Sequence, residues 1–431
     1  MRLRAPIGGR PRPLLLNSLF LIANTVAGSC FGFLFWLVAA RRYTPSEVGL
    51  GAAYISSLTF LATLAELGLG TALIRFAPAM GGRRAAFINS ALASVAASSL
   101  GAAALFALGT PIWSPELGEL GHPGLACGVF VGATAAFSLS QLLDRVFVAF
   151  EAAHFLFLRN LGLNVVRVAL IVTVGRPFGA TGLVVALGGG AGATLLLAAA
   201  LGIPRAVPGY RLRSGFAWGL LRDKLGYTLG NHVAALLWGA PMVVYSLLVV
   251  NMLGTSANGH FYLSWMVANM LFVVPTSVAT SAFARAANSG YLDEAAFWRT
   301  MRLTLAGLLA PVLILAGAAP LVLRVFGDDY GAQGRGVFLL LLLSAFPYAI
   351  NTAVIVRHRL EHHAGRVIWV SGLIALLCLG QSAALGARYG LPGIGAGWLG
   401  GQVLGALAAL LSCRRATRPA RVVLQGGLEA Q

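Results

Sequence analysis

The sequence predicts an all-α polytopic membrane protein of about twelve transmembrane helices in two six-helix lobes. Three observations predict it. Of 431 residues, 58% are hydrophobic and only 10% charged, where a soluble domain carries about 25% charged residues. Apolar runs recur from residue 14 to residue 412, each near the roughly 20 helical residues that span about 30 Å of hydrocarbon. The basic residues gather at alternate ends of those runs. A surface this poor in charge has lipid as its solvent.

The first six spans are predicted near 14–40, 50–76, 85–110, 124–150, 155–175 and 180–203. A basic connector, 204–224, leads to six more near 225–250, 258–284, 299–323, 336–356, 366–387 and 391–412, with a tail over 413–431. The lobes are thus 1–203 and 225–412. Arg2, Arg4, Arg10 and Arg12 before the first run resemble a signal-peptide start, but the run from Leu14 to Ala40 is too long for a signal core. It reads as a retained first helix.

Charge placement sets the expected orientation. With the N-terminus inside, the cytoplasmic side carries the N-terminal arginines, Arg75, Arg83, Arg84, Arg159, the connector, Arg285, Arg299, Arg302, Arg357, Arg359, Arg366 and the C-terminal arginines. The other side carries only Arg41, Arg42, Arg176, Arg324, Arg335 and Arg388. The positive-inside rule then places both termini in the cytoplasm of a bacterial-type cell membrane. The net charge of +18 is a topology and headgroup signal rather than a nucleic-acid footprint. The 54 glycines, lying within apolar runs, predict close helix packing. Cys30, Cys127, Cys378 and Cys413 all sit in apolar stretches without a C-x-x-C pair, and read as buried thiols. Connections are short, so no soluble catalytic domain is expected and no cofactor is called for.

An internal repeat is also visible. At an offset of 210, Ser46 meets Ser256, Gly49 meets Gly259, Ala72 meets Ala282, Arg75 meets Arg285 and Ala77 meets Ala287. An even number of spans per half makes the repeat parallel, with a cavity expected between the lobes.

Ionisable groups inside spans are costly and are functional candidates by default. Glu66 and Asp144 are the two acids well inside predicted spans; Arg145 and Arg167 are their basic counterparts. Asp144 and Arg167, on antiparallel neighbours, are expected within reach of one another, either as a structural ion pair or in substrate or proton handling. Glu66, among the small residues of Ala65–Gly70, suits either proton coupling or an interhelical hydrogen bond. Arg75 and Arg285, at cytoplasmic span ends, are candidates for anion contact, since guanidinium matches phosphate geometry; ordinary anchoring at headgroups is the alternative. Asn24, Asn160, Asn164, Asn231, His232, Asn269, Asn351 and Gln381 either line a sugar pathway or join helices. Asn231 and His232 form the most suggestive pair. Gly395-Ala396-Gly397-Trp398-Leu399-Gly400 matches G-x-G-x-x-G, but without a preceding strand it reads as helix packing. His358, His362 and His363 have helical spacing, yet the surrounding Arg357, Arg359 and Arg366 argue against a metal ion.

The stretch Ala39-Ala40-Arg41-Arg42-Tyr43-Thr44-Pro45-Ser46-Glu47-Val48-Gly49, followed by Ala65-Glu66-Leu67-Gly68-Leu69-Gly70-Thr71-Ala72-Leu73-Ile74-Arg75, resembles the opening of polysaccharide transporters. These are the oligosaccharide flippases of the multidrug/oligosaccharidyl-lipid/polysaccharide (MOP) exporter superfamily. Phe326-Gly327-Asp328-Asp329-Tyr330 is similar to that family's loop between spans nine and ten. The resemblance implies a two-lobed, V-shaped carrier with alternating access. Its implied cargo is a polyprenyl-diphosphate-linked oligosaccharide moved from the cytoplasmic to the outer leaflet for polysaccharide biosynthesis. Membrane lipids, a polysaccharide polymerase and glycosyltransferases are the implied partners. The lipid II flippase branch generally has fourteen spans and a more basic cavity, which favours a surface glycan here. A drug or small-cation exporter of the same superfamily is the main alternative, disfavoured by the excess of arginine over acid. An integral membrane glycan polymerase or ligase is a further one, disfavoured by the short outer loops.

Overall fold

The computed structural model describes residues 12–211, 215, 218–289, 294–361 and 363–414. It is all-helical among those residues. In order, the helices are α1 (Arg12–Arg42), α2 (Pro45–Ala65), α3 (Leu69–Phe76), α4 (Arg84–Trp113), α5 (Leu125–Ala149), α6 (Ala153–Thr173), α7 (Gly179–Leu197) and the short α8 (Ile203–Ala206). They are followed by α9 (Trp218–Ser289), α10 (Glu294–Gly317), α11 (Ala319–Arg324), α12 (Asp328–Gln333), α13 (Arg335–Leu343), α14 (Ala345–Leu360) and α15 (Ala364–Arg414). Ten described helical segments are long and apolar enough to cross a membrane. Two of them hold a reversal: α9 is non-helical at Gly254 (φ 87°) and α15 at Gly390 (φ 61°), positive values that glycine adopts without steric cost. Each therefore contributes two of the twelve predicted spans. Large apolar side chains such as Leu105, Ile112, Leu196, Ile314, Leu321 and Leu376 point outward, as a lipid-facing surface requires.

The chain divides into two compact units: Met1–Tyr43 with Tyr54–Leu236, and Thr44–Ala53 with Leu237–Gln431. In the first, α7 packs on α5 and α6, α6 on α1, and α5 on α4. Glycines set the approach. A Cβ at Gly188 would lie 2.4 Å from the Ala133 Cβ, and one at Gly190 2.9 Å from the Leu163 carbonyl oxygen. The core beneath α3, α4 and α5 gathers Leu73, Phe87, Ile88, Leu142, Val146 and Phe147.

The second unit is organised around aromatic rings. Tyr245 stacks on Phe261 (6.0 Å) and Trp265 (5.6 Å), and meets Trp398 edge-on at 5.2 Å. Their polar atoms are satisfied: Trp398 Nε1 donates to Ser344 Oγ (2.8 Å), and the Tyr245 hydroxyl lies 3.0 Å from Ser382 Oγ. Ser344 sits at the break between α13 and α14, so one hydroxyl both serves the break and anchors the indole.

The two arms of α15 are antiparallel, and the G-x-G-x-x-G segment lies in their seam. Cβ atoms at Gly393, Gly397 and Gly401 would lie 2.1 Å from Leu385 O, 2.2 Å from Ser382 N and 2.5 Å from Cys378 Cα. Backbone touches backbone there, the helix-packing role expected of small residues in membranes. Gly401→Leu is therefore expected to lower the thermal unfolding midpoint in detergent, by an overpacking cost of at least about 1–3 kcal/mol. Gly372→Leu on the same helix, where a Cβ meets open space, leaves the midpoint in place.

The T-P-S-E segment is a capping box. The Thr44 N–H donates to Glu47 Oε2 (2.8 Å), the Glu47 N–H donates to Thr44 Oγ1 (3.2 Å), and Pro45 opens α2. Both orphan donors at the helix start are thereby satisfied. One turn on, a Cβ at Gly49 would lie 1.7 Å from Thr255 O, and one at Gly259 2.3 Å from Pro45 O. At the offset of 210, Pro45 corresponds to Thr255 and Gly49 to Gly259, so the two contacts are images of each other. Ser46 Oγ lies 2.6 Å from Thr255 Oγ1, and Asn258 Nδ2 donates to Gly49 O at 2.7 Å. The repeat read from sequence is a local pseudo-two-fold contact in the second unit.

Candidate functional site

The mid-span charges of the described residues all fall in the first unit, where the second span is broken. The predicted span 50–76 is not one helix. α2 ends at Ala65 and α3 begins at Leu69, with Leu67 (φ 52°) and Gly68 (φ 72°) both left-handed between them. A positive φ at a leucine is rare and marks a strained position held by its surroundings. The carbonyls freed at the break find partners: Ser98 Oγ donates to Ala65 O (2.7 Å), and the buried His232 places Nε2 3.3 Å from Leu64 O. His232 is thus read most directly as a brace for the broken helix. Interrupted helices of this kind mark binding regions in transporters.

Glu66 stands in the break and meets Arg145 of α5, Oε1 to Nε 3.5 Å. Their contact explains the second glycine of the Gly68-Leu69-Gly70 run. A Cβ at Gly70 would lie 1.8 Å from Glu66 Oε1 and 2.7 Å from Arg145 Cγ. Gly68 gives the turn its φ; Gly70 gives the two side chains their passage. The Glu66 side chain is mostly buried, at 14% exposure, whereas Arg145 remains 49% exposed.

The expected Asp144–Arg167 pair does not form. Asp144 is taken by Arg159: Nε to Oδ1 at 3.0 Å and Nη2 to Oδ2 at 2.7 Å. Asn160 donates to Oδ2 (3.2 Å) and accepts from Arg159 Nη2 (2.7 Å), while Arg159 Nη1 also donates to Ser140 Oγ. The reason is register. α5 and α6 turn around residues 150–152, which sets residue 144 opposite residue 159. Arg167 lies eight residues further on, about 12 Å along a helix rising 1.5 Å per residue. Its guanidinium instead sits over the Phe35 ring of α1, 5.3 Å from the centroid. Arg159, read from sequence as a residue of the cytoplasmic end, is buried within α6. Its nearness to the start of that span hid it; the signal was an Arg-Asn pair opposite the Asp-Arg pair across a short hairpin.

Arg75 is exposed at the end of α3, its guanidinium 5.5 Å from the Phe76 centroid. The side chains of Arg285 and Asn231 lie outside the described residues, so the expected Arg75–Arg285 symmetry rests on sequence alone. Asn24, on α1, keeps a buried Oδ1 with no hydrogen-bond partner among the described residues. Asn164 is buried. Asn351 joins helices, donating from Nδ2 to Gln402 Oε1 at 2.8 Å, and Gln381 packs against Gly400 of the facing arm of α15. Chemically, the first unit offers two buried acids already held by arginines, and one arginine, Arg145, half open and loosely held.

No protein-family model matches the sequence, and no curated protein does. The fold has clear counterparts among solved structures. A lipid II flippase, MurJ, in an inward closed conformation superimposes with a TM-score of 0.71 at 12% identity, over 92% of this chain and 87% of that one. A multidrug-resistance MATE transporter in its inward-facing conformation gives 0.69 at 15% identity, over 90% and 94%. A MOP superfamily transporter from Pyrococcus furiosus, described as having a binding pocket of reversed polarity, gives 0.60 at 16% identity, over 93% and 94%. The chain thus has the fold of MOP superfamily transporters. Among them it is similar to both a lipid flippase and drug exporters.

Proposed function

We propose that this protein is an alternating-access carrier that moves a polyprenyl-diphosphate-linked oligosaccharide from the cytoplasmic to the outer leaflet of a cell membrane. Both termini would be cytoplasmic, and polysaccharide polymerase and glycosyltransferases would act beside it. The observation that carries the reading is the charge balance among the described mid-span residues. Three arginines, Arg145, Arg159 and Arg167, stand against two acids, Glu66 and Asp144, and Asp144 is held by Arg159 and Asn160. A cationic drug needs a carboxylate in the protein interior, and of the two described mid-span acids Asp144 is bound by Arg159 on both oxygens. An anionic diphosphate needs an arginine that can exchange partners, and Arg145 is half exposed on a single 3.5 Å contact. Guanidinium meets phosphate oxygens in a planar fork, so a diphosphate could displace Glu66.

The test is deletion of the gene in its native host, followed by mass spectrometry of lipid-linked glycans. One polyprenyl-diphosphate glycan is expected to accumulate, and the wild-type chain to clear it. Arg145→Ala, expressed and folded, is expected to restore less than a tenth of that clearance. An unchanged lipid profile in a host without a second such carrier would sink the proposal and bring drug export forward.

A further inference from the structure

The α14–α15 turn in the second unit brings three ligand-type side chains together. His358 is fully buried in the last turn of α14, Glu361 follows that helix, and His363 precedes α15. Glu361 Oε2 lies 3.3 Å from His358 Nδ1 and 3.2 Å from His363 Nδ1, and the three atoms all lie within 4.8 Å of one another. Backbone bonds fix the turn, Glu361 N to Arg357 O and His363 N to His358 O, both 3.0 Å. The backbone positions of the three residues are therefore set by the turn.

The protons at His358 can be followed. Ser412 Oγ donates to Ala409 O at 2.5 Å, so it accepts from His358 Nε2, 2.8 Å away. The Nε2–H tautomer leaves the Nδ1 lone pair aimed at a carboxylate oxygen. Two lone pairs at 3.3 Å repel unless a positive charge lies between them. A histidine whose second nitrogen is oriented by a hydrogen bond is the usual arrangement of a metal ligand. The spacing also suits a metal. Zinc bonds of about 2.0–2.2 Å to nitrogen and oxygen give tetrahedral ligand-to-ligand edges of about 3.3–3.5 Å, close to the two short separations here.

The arginines that weighed against a metal on sequence are partly neutralised. Arg357 Nη1 meets Glu294 Oε1 at 2.7 Å and its Nε meets Glu361 Oε1 at 2.9 Å, leaving Oε2 to the histidines. Arg359 is surface-exposed. Arg366, one turn into α15, is a further nearby cation among the described residues, and Cys413 follows Ser412 on the other arm. We propose that His358 Nδ1, Glu361 Oε2 and His363 Nδ1 form a site for one divalent transition-metal ion of the zinc class, with solvent as the fourth ligand. The ion would fasten the α14–α15 turn to the end of α15 through His358 and Ser412, and to the start of α10 through Arg357 and Glu294.

The test uses the full-length, tag-free protein in detergent, stripped with a chelator and titrated with Co2+ alone. One equivalent is expected to bind and give the visible absorption of a tetrahedral site. His363→Ala, at a half-exposed position, is expected to weaken Co2+ binding at least 100-fold with unchanged elution on size exclusion. Ser412→Ala, which touches no ligand atom, is expected to weaken it about 10–100-fold by releasing the His358 ring. A missing saturable spectrum, or one unchanged in H363A, would overturn the site.

Discussion

Arg159→Ala is expected to destabilise the first unit by about 3–5 kcal/mol, the cost of leaving one member of a buried ion pair without its partner. The Arg159 side chain is only 4% exposed, and it supplies two of the three hydrogen bonds that Asp144 receives. Loss of most folded protein on size exclusion, or a large fall in the unfolding midpoint, is the expected readout. Arg159→Leu combined with Asp144→Leu removes both charges and is expected to recover most of the loss, because a buried pair is often no better than apolar residues of similar volume. If the double leucine variant were no better than Arg159→Ala alone, the pairing described here would be wrong.

Valine at Gly49 or at Gly259 is expected to be comparably severe, and by the same amount at either position. The added Cβ would fall 1.7 Å from Thr255 O in one case and 2.3 Å from Pro45 O in the other. Both obstacles are backbone, which cannot rotate away. The cost should exceed the usual overpacking range of about 1–3 kcal/mol. Folded yield and the unfolding midpoint in detergent are both expected to fall. Gly101→Val in α4, where a Cβ meets open space, serves as the control and should behave as wild type. Sensitivity at only one of the two glycines would mean that the contact is not reciprocal and that the 210-residue offset has no structural meaning there.

Much of the fold was legible because lipid imposes one rule on every span: backbone groups must be satisfied internally. That rule turns apolar run length into helix position, so Leu125–Ala149 or Ala153–Thr173 could be placed within a few residues. A paired motif was legible too: Gly49 matched Gly259 at the offset of 210. The broken second span was harder. Glu66-Leu67-Gly68 looks like helix continuation by hydropathy, and only the left-handed pair at Leu67 and Gly68 reveals the interruption. Ser98 and His232, which satisfy the freed carbonyls, come from distant parts of the sequence.

The sequence by itself determined the all-helical class, the rough limits of the apolar spans and the small set of ionisable residues that lipid would tolerate only with partners. These follow from composition and period, quantities that each segment carries alone. The tertiary structure decided which partner each charge took. Asp144 went to Arg159 rather than Arg167 because the α5–α6 hairpin fixes their register, and Glu66 reached Arg145 because Gly70 leaves room between them. It likewise showed that Arg357 is engaged by Glu294 and Glu361, which reopens the His358–Glu361–His363 cluster to a cation. Pairing depends on distances of a few ångströms across helices, and no single segment encodes those distances until packing sets them.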